Sequence, residues 1–175
     1  GYEIISMKDA GIHPEINENG KTYEENALIK ARAVATQTDC IVMADDSGLE
    51  IDHLNGEPGI YSARYLGEDT PYRVKNANLI ERLNGVADKE RTARFVCAIA
   101  AVLPDGAELA IRATVEGRIG YEEKGGHGFG YDPIFFLPER GLYSAELLPE
   151  EKNAFSHRGK ALRAMIAKLR ENGYI

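Results

Sequence analysis

No tryptophan occurs among the 175 residues, and cysteine appears only twice, at Cys40 and Cys97. Two thiols cannot supply the disulfide framework of a small secreted domain, and neither has the CxxC or CxxH spacing of a redox or zinc motif. Both lie in apolar, strand-like runs, and the expectation is two reduced core residues in a cytoplasmic protein. No apolar run approaches the ~20 residues needed to cross a bilayer, and no basic-then-apolar leader is seen. Neither a membrane nor secretion is therefore expected. An excess of positive charge is missing too, since the formal net charge is −7. A nucleic-acid polymer is bound through basic surface, so that partner is not expected. A small anionic ligand stays compatible, because local charge decides its binding.

With 43% hydrophobic and 28% charged residues, the chain has the composition of one compact domain with a real core. Thr22 can cap a helix that carries Tyr23, Ala27, Ala31, Val34 and Ala35 on one face, with Glu25 at the capping-box position. "IVMADDSGLEI" (41–51) reads as a strand broken by a turn, and "NGEPGIYSARY" as an irregular loop. Thr70-Pro71 opens a second helix with Val74, Ala77, Ile80 and Leu83 inward. A long hairpin follows: Ala93, Phe95, Cys97, Ile99 and Ala101 alternate on one strand, and Leu109, Ile111, Ala113 and Val115 on its return. The last helix carries Leu162, Met165, Ile166 and Leu169 on one face. A hairpin set among helix crossovers predicts a single α/β domain with a mixed sheet.

Three stretches hold side chains that packing alone does not demand. Asp45 and Asp46 end an apolar run, where an unpaired buried carboxylate costs several kcal/mol. Adjacent acids at a strand end suit a hard divalent cation that keeps waters and takes substrate phosphates as further ligands; an Asx-type turn explains them equally well. "GGHGFGYDP" sets Phe129 and Tyr131 between glycines, so their rings either stack on a nucleobase or plug the core. "EEKNAFSHRGK" gathers Lys152, His157, Arg158 and Lys160 within an acidic chain. That segment is either an anion site or a solvated helix face. His13 and His53 have no neighbours of chemical interest.

Together "NGKTYEENALIKARAVA", "MADDSGLEIDHLNGEPGIYSARY", "RTARFVCAIA", "GHGFGYDPIFF" and "EEKNAFSHRGKAL" closely resemble the inosine/xanthosine triphosphate pyrophosphatase family. The likeness runs from about Gly1 to Leu169. It implies an elongated α/β fold with a long mixed sheet flanked by helices, acting as a homodimer with Mg²⁺. The implied reaction converts non-standard purine nucleoside triphosphates (ITP, dITP, XTP) to the monophosphate and pyrophosphate. By this resemblance Asp46 is the catalytic acid and a metal ligand, and Glu18 the second metal-site acid. Ser47, Phe129, Gly130, Tyr131, Asp132, Lys152, His157, Arg158 and Lys30 are substrate-binding residues.

The family opens with a strand and an N-x-x-K loop. "GYEIISMKDAG" corresponds to its second strand, so the resemblance implies a domain over 1–175 that lacks the first strand. A threonine cap is expected where Leu148 stands, a change costing roughly 1 kcal/mol. Two other readings stay open: a related nucleotide pyrophosphatase of different base preference, and a catalytically silent nucleotide-binding module.

Overall fold

The computed structural model describes all residues from Gly1 to Ile175. Four helices and five strands follow one another as α1 (Tyr23–Ala35), β1 (Val42–Ile51), α2 (Tyr72–Arg82), β2 (Thr92–Val102), β3 (Glu108–Ile119), β4 (Phe135–Leu137), β5 (Leu142–Tyr143), α3 (Pro149–Phe155) and α4 (His157–Glu171). The expected α/β character is present. The sheet itself is antiparallel throughout, in the order β1-β2-β3-β4-β5, and not mixed. The reason lies in the connection through α2. Ile51 pairs with Ala93, so the chain between them returns to the end of the sheet it left, and no helix crosses over to make a parallel pair.

The expected hairpin forms, with Ala101 opposite Leu109, Ile99 opposite Ile111 and Cys97 opposite Ala113. Helices cover both faces of β2. On one side Ala27 and Ala31 of α1 pack with Val42, Ala100 and Val102. On the other, Ala161, Met165 and Leu169 of α4 pack with Cys97, Ile99 and Ala101. A strand buried on both faces explains why "FVCAIAAV" is apolar at nearly every position. A third cluster, with Leu49, Leu79, Phe95 and Phe135 among its members, closes the end of the sheet near α2 and β4. Arg91 lies within this region, fully buried, and donates to the carbonyls of Leu83, Ile119 and Gly120 at 2.7–2.9 Å.

Several local expectations are corrected. β1 runs unbroken through Asp45-Asp46-Ser47-Gly48, because each of these residues has a partner on β2; the acids neither end a strand nor begin a turn. The inward face of α2 is Lys75, Asn76, Leu79 and Leu83, whereas Val74 and Ala77 are exposed. The helix is rotated because Lys75 Nζ donates to Ala63 O (2.7 Å) and Asn76 Nδ2 to Gly130 O (3.2 Å). On α4 the buried row is Ala161, Met165 and Leu169, and Leu162 is exposed. Cys97 is a buried free thiol as expected, but Cys40 is exposed, just before β1 enters the sheet. Gly1–Ser6 makes no ladder, since a strand exists only with a neighbour to share its hydrogen bonds. Thr22 does cap α1 by accepting from Glu25 N at 3.1 Å. Glu25 reaches back one residue further than a capping box, to Lys21 N at 2.5 Å. No helix is long and apolar enough to cross a membrane.

Candidate active site

Alternation along β1 sends its two acids to opposite faces. Asp46 pairs with Ala98 and turns towards α1, and Asp45 pairs with Ile99 and turns towards α4. Each acid meets a cation there. Arg158 Nη2 stands 3.2 Å from Asp45 Oδ2. Lys30 Nζ stands 3.8 Å from Asp46 Oδ1 and 3.0 Å from Glu18 Oε1, so one ammonium lies between two carboxylates. Asn26 Nδ2 donates to Asp46 Oδ2 at 3.3 Å. Burial pushes the Asp46 carboxyl above the usual carboxylate range, with Lys30 and the Asn26 hydrogen bond opposing it and Glu18 and Asp45 adding to it. β1 is one of the two edge strands. A single cavity can therefore wrap its free edge and collect side chains from both faces.

The glycine-rich loop and the start of α4 close the other side. Asp132 organises them: buried to 2% exposure, it accepts from Phe129 N (2.9 Å), Ser144 Oγ (2.8 Å) and the ammonium of Lys152. Gly128 (φ +76°) brings the loop so near this carboxylate that a side chain at that position would collide with it. The two loop aromatics divide the roles left open for them. Phe129 is 65% exposed at the rim, with Lys152 Nζ 4.8 Å and Arg158 Cζ 5.5 Å from its ring centre. Tyr131 is buried, donates to Ser62 O at 2.6 Å, and meets the Tyr72 ring edge-on at 5.1 Å.

The basic segment divides as well. His157 stacks on Phe95 at 4.9 Å; burial first, then the Arg158 charge, lowers it to about 4. It enters the site as a neutral imidazole, not as the cation that the grouping of basic residues suggests. Lys160 points elsewhere, towards Thr114 O at 3.4 Å. Lys160 lies two residues beyond Arg158, and helical geometry turns residues two apart to different faces. α4 begins cleanly because Ser156 Oγ accepts from Gly159 N (3.0 Å). At Leu148 no side chain caps α3; Glu151 instead accepts from Leu148 N at 3.3 Å.

A cavity of about 290 Å³ results. It is lined by Glu18, Lys30, Asp46, Ser47, Phe129, Gly130, Tyr131, Asp132, Lys152, His157 and Arg158, so all the site residues expected from the sequence converge. Ser47 Oγ is buried and has no hydrogen-bond partner. Asp45 and Gly48 of β1 also line it, and Ser62, Ala63, Tyr72 and Phe95, which were not expected, complete the wall. Phe95 reads only as a core position in the alternation, and Tyr72 sits in no motif. Glu25 is absent from the lining and keeps its place at the start of α1.

Acids and cations arranged around an aromatic rim define a charged, ligand-sized cleft on an α/β scaffold. The family model described as the Ham1 family matches residues 1–168, and this chain belongs to that family. It is 48% identical over 169 residues to the dITP/XTP pyrophosphatase of Exiguobacterium sibiricum, covering 97% of this chain and 85% of that protein. It is 45% identical over 171 residues to the Bacillus subtilis protein of the same name, covering 98% and 86%. Among solved structures, the Staphylococcus aureus Ham1 protein superposes with a TM-score of 0.90 at 40% identity, covering 98% of this chain and 88% of that one. The nucleoside-triphosphatase / dITP/XTP pyrophosphatase of Mycobacterium abscessus gives 0.77 at 42%, covering 94% and 84%.

Proposed function

We propose that this protein hydrolyses non-standard purine nucleoside triphosphates (ITP, dITP and XTP) to the monophosphate and pyrophosphate, clearing them from the nucleotide pool. The observation that carries this reading is the convergence, in one cavity, of the Glu18–Lys30–Asp46 cluster with Phe129, Lys152 and Arg158. The names of the relatives, dITP/XTP pyrophosphatase, support it.

Glu18 and Asp46 are hard oxygen donors that already share one cation, the Lys30 ammonium. That donor set suits Mg²⁺, which needs only one or two carboxylates beside water and phosphate oxygens. Glu18 and Asp46 would hold the ion, and when bound it supplies Lewis acidity and lowers the pKa of nearby water. Asp46, raised by its burial, is suited to accept a proton from the attacking water. Water oxygen bonds to the α-phosphorus, the bond to the bridging oxygen breaks, and pyrophosphate leaves with that electron pair. Lys30 offsets phosphate charge at the acid end of the cavity. Phe129 offers a face for the base to stack on, and Arg158 and backbone amides offer donors to the 6-keto oxygen. Adenine would set its amino group against those donors, a mismatch that discriminates by roughly 10⁴-fold at sites built for one hydrogen-bond sense.

The same reading makes the protein a cytoplasmic homodimer. Free thiols are in keeping with a reducing compartment. The exposed apolar side chains Tyr61, Leu66, Tyr72 and Val74 offer surface for a second copy. Pyrophosphate release from ITP, XTP, ATP and GTP with Mg²⁺ tests the function. Equal turnover of ITP and ATP overturns the selectivity, and full activity in Asp46→Asn overturns the assignment of the base.

A further inference from the structure

Asn26 lies in the stretch that opens α1 and has no chemical role expected of it, yet it is only 1% exposed. Its carboxamide bridges two chain segments. Oδ1 accepts from Gly20 N at 2.9 Å, and Nδ2 donates to Asp46 Oδ2 at 3.3 Å. A backbone N–H can only donate, so the Gly20 contact fixes which end of the amide is oxygen and leaves Nδ2 facing the carboxylate. Gly20 is suited to this approach: a Cβ there would lie 2.7 Å from Asn26 Oδ1 and 2.8 Å from the Glu25 Cβ.

Glu18 lies two residues before Gly20, so the same amide ties down the loop that carries Glu18. Lys30, one helical turn beyond Asn26, contacts Glu18 and the other oxygen of Asp46. Residues four apart share a helix face, and Asn26 and Lys30 thus form two rungs between α1 and the acids. Asp46 Oδ2 accepts the Asn26 hydrogen bond and Oδ1 faces the Lys30 ammonium at 3.8 Å, so Asn26 makes the one hydrogen bond that orients the carboxylate. A proton acceptor must be held within a narrow range of orientations to act on a water beside substrate.

We propose that Asn26 is a positioning residue for the reaction, orienting the Asp46 carboxylate and locking the Glu18 loop against it. This rests on the reading of Asp46 as the proton acceptor. Asn26 does not itself line the cavity and acts through Asp46 and the Glu18 loop.

The test compares Asn26→Asp with Asp46→Asn and the double exchange, using the full chain. Asn26→Asp keeps the shape and still accepts from Gly20, but sets a second carboxylate against Asp46. We expect kcat for ITP to fall by roughly 10–100-fold, as for other groups that orient a catalytic ligand, with KM within about twofold because ground-state binding is untouched. In the double exchange the bridge re-forms with its sense reversed, so the melting temperature lost in Asn26→Asp recovers while turnover stays at the level of Asp46→Asn. A kcat for Asn26→Asp near that of wild type, with Asp46→Asn inactive, overturns this inference and leaves the proposed function standing. An active Asp46→Asn overturns the assignment of Asp46 as proton acceptor, on which this inference rests. Should Asn26→Asp fold too poorly for assay, Asn26→Ala removes the donor without adding charge. A kcat near that of wild type there overturns the inference equally.

Discussion

The carboxylate of Asp45 and the guanidinium of Arg158 meet at 3.2 Å, on the face of β1 opposite to Lys30. Both side chains are about half exposed, at 44% and 53%, so solvent screens the pair and holds its value to about 1 kcal/mol or less. Arg158→Ala should therefore leave the denaturation midpoint nearly unchanged. Its other contact, beside the Phe129 ring, predicts that the same variant raises KM for ITP by about tenfold, as expected for a lost charge-assisted contact. Steady-state kinetics and urea titration on one preparation check both halves.

His157 predicts a pH dependence of stability. Its folded value lies at about 4 against the ordinary 6.5, so between those values the unfolded chain binds a proton that the native one does not. Stability then rises with pH through this window and falls as the pH drops from 6.5 towards 4. Between pH 7 and pH 4.5, which span most of that shift, the contribution is on the order of 2–3 kcal/mol. Urea unfolding at pH 4.5 and at pH 7 should differ less in His157→Phe than in wild type, by about that amount. An identical difference in the two proteins would remove His157 from the account.

Asp132 is buried with three donors directed at it. Asp132→Ala leaves a half-buried ammonium at Lys152 and an amide at Phe129 without acceptors. The expected cost is about 3–5 kcal/mol, the range for breaking a buried ion pair from one side. Asp132→Asn keeps the shape and one acceptor and should cost less. Chemical denaturation gives the values, and weaker protection of the Phe129 amide against hydrogen exchange reports on the loop.

Arg91 contacts three carbonyls from a fully buried position. A lysine has no planar fork to reach all three. Arg91→Lys should then cost about 2–3 kcal/mol through carbonyls left unsatisfied, with little change in KM for ITP. A variant as stable as wild type would show that these bonds contribute nothing net.

Chelation tests the metal proposal. Pyrophosphate release from ITP should vanish in EDTA and return with added Mg²⁺, as activity that depends on a bound ion must. Turnover persisting in EDTA would mean that Glu18 and Asp46 work without a metal.

Much of the architecture is legible along the chain because it depends on local periodicity. The alternation of Ala93 to Ala101 against Leu109 to Val115 sets the hairpin register, and Thr22 caps α1 from three residues away. Helix faces are less legible. α2 turns Lys75 inward and Val74 outward, since the carbonyl of Ala63 and the ring of Tyr72 receive the ammonium. Hydrophobicity alone cannot anticipate such a pocket.

The amino-acid sequence by itself determined which side chains would be available: the acid pair, the aromatic glycine loop and the basic segment, each held in a short motif. Only the tertiary structure decided how they are used. It assigned Asp46 to Lys30 and Asn26 but Asp45 to Arg158, exposed Phe129 while burying Tyr131, and turned Lys160 away. The physical reason is that charge, burial and hydrogen-bond partners are set by neighbours in space, and β1, α1 and α4 meet only when the sheet is formed.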